Sequence, residues 1–214
     1  MTPEFARAID PLFSYVLDLL HRIECNDSPD ADTERIHIRG HFDRAEAMLG
    51  TKEDWLLAKY AMVAWIDDML IDAPWDGRVE WKETPLEFEL FNSSKAYSTF
   101  YLRAEDAAKM SNKDALEVYY VCVVLGFRGL YRDESGAAEI ERSSLPPDVN
   151  AWARRVSKSI HLGQGRARIT ENPNPGTDAA PREGKYHLLG MSLACLCLTS
   201  ITLILAIYLF AGVR

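Results

Sequence analysis

The chain has 214 residues, 48% of them hydrophobic and 26% charged, which is enough for one cored domain with an appendage and too little for two large ones. Its net charge of −8 is unevenly spread: residues 1–150 carry 16 Lys+Arg against 29 Asp+Glu, while residues 151–214 carry 8 against 3. An acidic body argues against nucleic acid as a partner, because phosphate binding needs a basic surface to release counterions, and it favours basic segments of other proteins.

Taken in chain order, the first predicted helix covers about 4–25, with Leu12, Phe13, Val16, Leu17, Leu20 and Ile23 at helical spacing and Pro3 suited to its first turn. Residues 26–32 collect Asn, Asp, Ser and Pro, which favour a turn. A second helix is expected over 33–49, stopping at Gly50. Thr51 reads as the cap of a third, with Glu53 and Asp54 in its first turn and a wide apolar stripe from Trp55 to Leu70. Pro74 and Gly77 halt that pattern, and a loop is expected to follow. A short helix over 85–91 and an amphipathic one over 98–110 come next. Asn112 then caps a helix over 113–125 that is apolar nearly all round and therefore central. The β-branched residues of that stretch leave a strand open as an alternative. Pro146, Pro147 and Asp148 open the last helix of the domain, to about residue 160.

Residues 161–185 are rich in Gly, Asn, Pro and Arg and read as a flexible tether. Residues 188–213 contain no charge, a run longer than the roughly 20 residues a helix needs to cross hydrocarbon. The tether and last soluble helix hold seven Lys or Arg before the run and only Arg214 follows it, so the positive-inside rule places the N-terminal domain in the cytoplasm. The expected map is a domain over 1–160, a tether over 161–185 and a transmembrane helix over 186–213. The acidic N-terminus lacks the pattern of a secretory signal, so the reading is a single-pass, tail-anchored protein. Cys25, Cys122, Cys195 and Cys197 show neither C-x-x-C nor zinc-finger spacing, and reduced thiols are expected.

Asp67, Asp68, Asp72 and Asp76 form the feature closest to chemistry. Clustered carboxylates can hold magnesium and a diphosphate, but no second acidic cluster or basic group accompanies them. A solvated acidic helix end and a protein-docking edge are the other readings. His37 and His41, one helical turn apart, could share a metal, yet no third ligand stands out. No metal, cofactor or catalytic nucleophile is therefore expected. Trp75 and Trp81 either pack their own loop onto the helices or offer an exposed apolar anchor beside the acids.

Three ordered blocks carry a family resemblance. Ala58-Lys59-Tyr60-Ala61-Met62-Val63-Ala64-Trp65-Ile66-Asp67-Asp68 resembles the A-K-Y-A-x-x-A-x-I-D-E helix of the TssL/DotU/IcmH family. Pro74-Trp75 with Trp81, Pro85-Leu86 and Phe91 is similar to that family's next stretch, and residues 116–132 resemble its L-E-x-Y-Y-x-C-L-x-x-G-F-x-G-x-Y pattern. The resemblance implies an all-α fold of two small helical bundles, anchored once in the bacterial inner membrane. It further implies a structural role in a type VI secretion membrane complex, with TssM and baseplate proteins such as TssK as partners and self-association through the membrane helix. The related IcmH/DotU subunit of type IVB secretion is the alternative machine, and a metal-dependent helical enzyme the alternative class. Asp68 stands where the family commonly has Glu, a shorter reach. Some relatives extend beyond the span to bind peptidoglycan, and the expectation here is wall attachment through a partner.

Overall fold

Helix α1 (Pro3–Glu24) begins where the ring of Pro3 sets the first-turn φ and the Thr2 hydroxyl accepts the Phe5 N–H at 3.4 Å. It buries Phe5, Ile9, Leu12, Val16, Leu19 and Ile23 along one stripe. The turn passes through Asn26 at φ 62, a left-handed conformation that Asn tolerates, and Asp30 then caps α2 (Ala31–Leu49) by accepting the Thr33 N–H at 2.9 Å. The expected start at residue 33 is thus two residues late, because Asp30 rather than a later residue is the cap. Buried Glu34 fastens α2 to α1: it accepts Arg22 Nη2 at 3.0 Å and the Tyr15 hydroxyl.

Helix α3 (Glu53–Asp72) is the central strut. Its cap residue is Lys52, not Thr51, and no side chain completes that cap, leaving first-turn Glu53 and Asp54 to complement the helix dipole. Trp55, Ala58, every residue from Tyr60 to Asp67, and Leu70 are buried, so α3 is enclosed on all sides rather than along one stripe. Around it lie α4 (Arg78–Glu83), α5 (Leu86–Phe91), α6 (Ala96–Lys109) and α7 (Asp114–Val124). The segment 114–124 is helical, which settles the helix-or-strand alternative. Two 3-10 turns, Gly129–Tyr131 and Glu134–Gly136, lead to α8 (Ala137–Arg142). Helix α9 (Val149–Gly163) starts where Asp148 Oδ1 accepts the Ala151 N–H at 2.8 Å, and it docks Trp152, Val156 and Ile160 inward.

This computed structural model describes residues 1–163, all within one compact unit. Helices α1, α2, α4, α5, α6 and α7 pack against α3, α9 docks on α7, and the buried apolar residues form one continuous cluster rather than two separately cored bundles. Among the described residues there is no strand, and no helix is long and apolar enough to cross a membrane. The expected transmembrane helix over 186–213 and most of the expected tether over 161–185 lie outside the described residues.

The turn after α7 depends on glycine. Gly129 has φ +47, and a Cβ there would sit 2.9 Å from both the Tyr97 carbonyl oxygen and the Phe127 ring. Gly129→Ala is expected to cost about 2–3 kcal/mol and to lower the melting temperature by about 5–10 °C. Gly40 lies inside α2, and a Cβ there would meet nothing within 4 Å, so Gly40→Ala should raise stability by about 0.5–1 kcal/mol. Thermal unfolding followed by circular dichroism checks both signs.

Candidate functional site

The acid-rich end of α3 resolves into carboxylates with different tasks. Asp67 is 5% exposed, and its oxygens are filled by the chain's own donors. Oδ1 accepts Trp81 Nε1 and the Leu86 N–H, each at 2.9 Å, and Oδ2 accepts the Glu87 N–H at 2.8 Å. The carboxylate therefore ties α3 to α4 and supplies acceptors for the first amides of α5, which have no partner within that helix. Burial pushes its pKa up to about 6, opposed by the three N–H donors that favour the charged form.

Glu87 repeats the arrangement one step further along. It accepts the Tyr60 hydroxyl and the Lys95 N–H on Oε1, at 2.8 and 3.1 Å, and the Ala96 N–H on Oε2 at 2.9 Å. Sequence reasoning missed Glu87. The available signal was its place in the Pro85-Leu86-Glu87 block, where an acid adjoins two apolar residues.

Trp81 is fully buried and Trp75 is 8% exposed, so of the two readings open for them the structure shows packing onto the helices, and neither is an exposed docking anchor. Trp75 Nε1 donates to the Leu70 carbonyl at 2.8 Å, and its ring lies over Gly77, where a Cβ would come within 2.5 Å. The Arg35 guanidinium of α2 covers the Trp81 ring at 4.4 Å and donates to the Thr84 carbonyl at 2.6 Å. A buried indole needs a partner for its N–H, and Asp67 and Leu70 provide those partners.

Of the remaining acids Asp68 is partly buried, while Asp72 and Asp76 are exposed, and none is bare. Arg132 joins Asp68 at 2.5 Å and also pairs with Asp72. Burial raises the Asp68 pKa while the Arg132 charge works against that rise. Asp76 is exposed and accepts the Ser28 hydroxyl at 2.6 Å. Asp68 and Asp72 share Arg132 while Asp76 takes the Ser28 hydroxyl, so each carboxylate is engaged by a donor of the chain itself. Among the described residues no three His, Cys, Asp or Glu side chains gather to share a metal ion. His37 and His41 instead flank the Tyr15 ring, with His37 Nδ1 at 2.8 Å from its hydroxyl.

A cleft of about 210 Å³ opens beside these acids. Ala64, Asp67 and Asp68 line it from α3, Pro85 and Glu87 from the start of α5, and Phe127 and Gly129 from the turn after α7. The three sequence blocks, separated along the chain, therefore meet at one place. Tyr97 closes the rim at 39% exposure, with its hydroxyl 3.0 Å from Ser135 Oγ. Tyr97, which the sequence reading did not single out, is the exposed aromatic at this cleft.

The family model for the type VI secretion system protein DotU matches residues 4–214. The chain belongs to the DotU family. A solved structure described as the cytoplasmic domain of TssL from Acinetobacter baumannii is similar at 26% identity and a TM-score of 0.58, over 74% of this chain and 98% of that one. No curated protein matches. The DotU match includes residues 188–213, so the apolar run is part of what this chain shares with the family. The all-helical architecture is what it shares with the TssL domain.

Proposed function

We propose that this chain is a structural subunit of a type VI secretion membrane complex, held in the bacterial inner membrane by residues 188–213 with its helical domain in the cytoplasm. In this reading it associates with a TssM-like inner-membrane protein and docks baseplate components, such as a TssK-like protein, on its cytoplasmic face. The observation that carries the proposal is the convergence of the three family blocks on one acid-rimmed cleft, in a chain that the DotU family matches almost end to end. Fixed helix geometry supplies a rigid platform, Asp68 on the cleft wall and the exposed Asp72 and Asp76 that follow it in the chain supply negative charge for steering, and Tyr97 supplies an apolar contact at the rim. Asp67, Trp75 and Trp81 support that platform from beneath.

The test is a detergent pull-down of tagged full-length chain from its native cells, with co-purifying proteins identified by mass spectrometry. Wild type should recover TssM-like and baseplate proteins. The Asp72→Lys/Asp76→Lys variant and Tyr97→Ala should each lower baseplate recovery at least ten-fold, an effect of about 1.4 kcal/mol or more, while helicity is retained. Undiminished recovery by both variants removes the cleft edge as the docking site. Recovery of type IVB components instead transfers the subunit to that machine.

A further inference from the structure

The basic end of the described domain has no task in the fold. Helix α9 carries Arg154, Arg155 and Lys158 and no Asp or Glu, in a domain that is otherwise strongly acidic. Arg155 pairs with Glu105 of α6. Arg154 and Lys158 are exposed and make no ion pair among the described residues. With Asn150, Ser157 and His161 they follow one helical face, next to the face that buries Trp152, Val156 and Ile160. That free face and Tyr120 of α7 line an open groove of about 650 Å³ with no carboxylate among its lining residues. Two large apolar side chains stand exposed nearby in sequence, Leu162 at 73% on the last turn of α9 and Val124 at 61% at the end of α7.

We infer that this groove is a binding surface for anionic lipid headgroups, which rests the last helix of the domain against the membrane surface. The donor set fits a phosphodiester: two cations, unpaired among the described residues, for its charge, with the Ser157 hydroxyl and the Asn150 amide as neutral hydrogen-bond donors. Leu162 then enters the region just beneath the headgroups, as apolar residues beside a basic face do in surface-bound helices. The place of the groove along the chain points to lipid rather than to an acidic protein. Helix α9 ends at Gly163, and only residues 164–187 separate it from the uncharged run at 188–213, itself preceded by further Arg and Lys. The charge balance thus turns positive toward the apolar run, whereas residues 1–150 carry more Asp and Glu than Lys and Arg. This surface is distinct from the cleft, and the inference stands whether or not the cleft docks a baseplate protein.

Each Lys or Arg held near an anionic leaflet strengthens association about five-fold, so Arg154 and Lys158 together contribute about 25-fold. The experiment reconstitutes full-length chain in nanodiscs of phosphatidylcholine alone, or with 30% phosphatidylglycerol, and follows hydrogen exchange over residues 150–162. Exchange there should be at least about five-fold slower with phosphatidylglycerol, and the slowing should vanish in 0.5 M salt and in Arg154→Glu/Lys158→Glu. Exchange in the helices lining the cleft should be the same in all samples. Because neither substituted side chain is buried or paired, the variant should keep wild-type helicity in phosphatidylcholine. Equal exchange in the two lipid compositions overturns the inference, as does slowing that survives the double reversal. Slowing seen only after an acidic partner protein is added, and never with lipid alone, also overturns it and makes the groove a protein interface.

Discussion

Asp67→Ala should be the most destabilising single change at the acidic end of α3, lowering unfolding free energy by about 4–5 kcal/mol and the melting temperature by about 10–15 °C. The size follows from what stays behind. Three buried donors, the Trp81 indole N–H and the Leu86 and Glu87 amides, lose a charged acceptor at 2.8–2.9 Å and have no water-facing alternative. Each hydrogen bond to a charged group contributes about 1.5–3 kcal/mol, partly offset by removing a carboxylate that was costly to bury. Asp68→Ala is the contrast, since Asp68 shares the more exposed Arg132 with Asp72, and it should cost about 1 kcal/mol. Urea unfolding of the two variants separates a buried clamp from a surface acid. Equal losses would mean that the Asp67 contacts are replaceable.

Protonation gives the same site a signature in pH. The folded-state pKa of Asp67 is raised to about 6 from an ordinary value of 3.8, so between those values the folded chain takes up a proton that the unfolded chain does not. Folding is then favoured as pH falls through about 6, the reverse of the usual acid effect on a paired carboxylate. Asp67→Asn lacks this proton uptake and shares every other titrating group with wild type. The stability of wild type relative to Asp67→Asn should therefore increase by about 1.4 kcal/mol between pH 7.5 and pH 5. A constant difference across that range would show that the two states bind this proton equally.

The fold was legible in the sequence wherever burial is periodic. Helices α1, α3 and α6 announce themselves through apolar spacing, α7 through a run that is apolar nearly all round, and α2 and α9 through their ends at Gly50 and Asp148. Helix α5, six residues long, was legible behind Pro85, whereas α4 and α8 carry little apolar signal: α4 buries only Trp81, and α8 buries none. The harder problem was the acids. Glu34, Asp67, Glu87 and Asp114 look like four more surface charges in an acidic chain, yet all are buried and each holds segments distant in sequence. Asp114, for example, accepts the Thr2 N–H at 2.7 Å and the Thr2 hydroxyl at 2.6 Å, joining the start of α1 to α7. One-dimensional pattern does not distinguish a carboxylate that accepts amides across 112 positions from one that faces water. The same limit left Trp75 and Trp81 open between packing and exposure and overlooked Tyr97.

Glu87→Ala should lower stability by about 3–4 kcal/mol and should also open the wall of the cleft. Its carboxylate holds the Tyr60 hydroxyl of α3 and the Lys95 and Ala96 amides at the start of α6, so one side chain fixes three helices to one another. Tyr60 also carries the Arg103 guanidinium over its ring at 3.8 Å and meets Phe91 edge-on at 5.1 Å, a cluster that loses its anchor when the hydroxyl has no acceptor. Glu87→Gln keeps the side-chain length and one acceptor oxygen, but it points an amide toward backbone donors and should lose about half as much. Hydrogen exchange locates the damage: in Glu87→Ala the amides of residues 95–99 should exchange at least ten-fold faster, while those of α1 and α2 change far less. Because Ala96 and Tyr97 line the cleft next to Glu87, the same variant, studied below its melting temperature, should also lose baseplate recovery. Uniform acceleration over all helices would mean that Glu87 supports the whole fold and does not specifically hold the cleft wall.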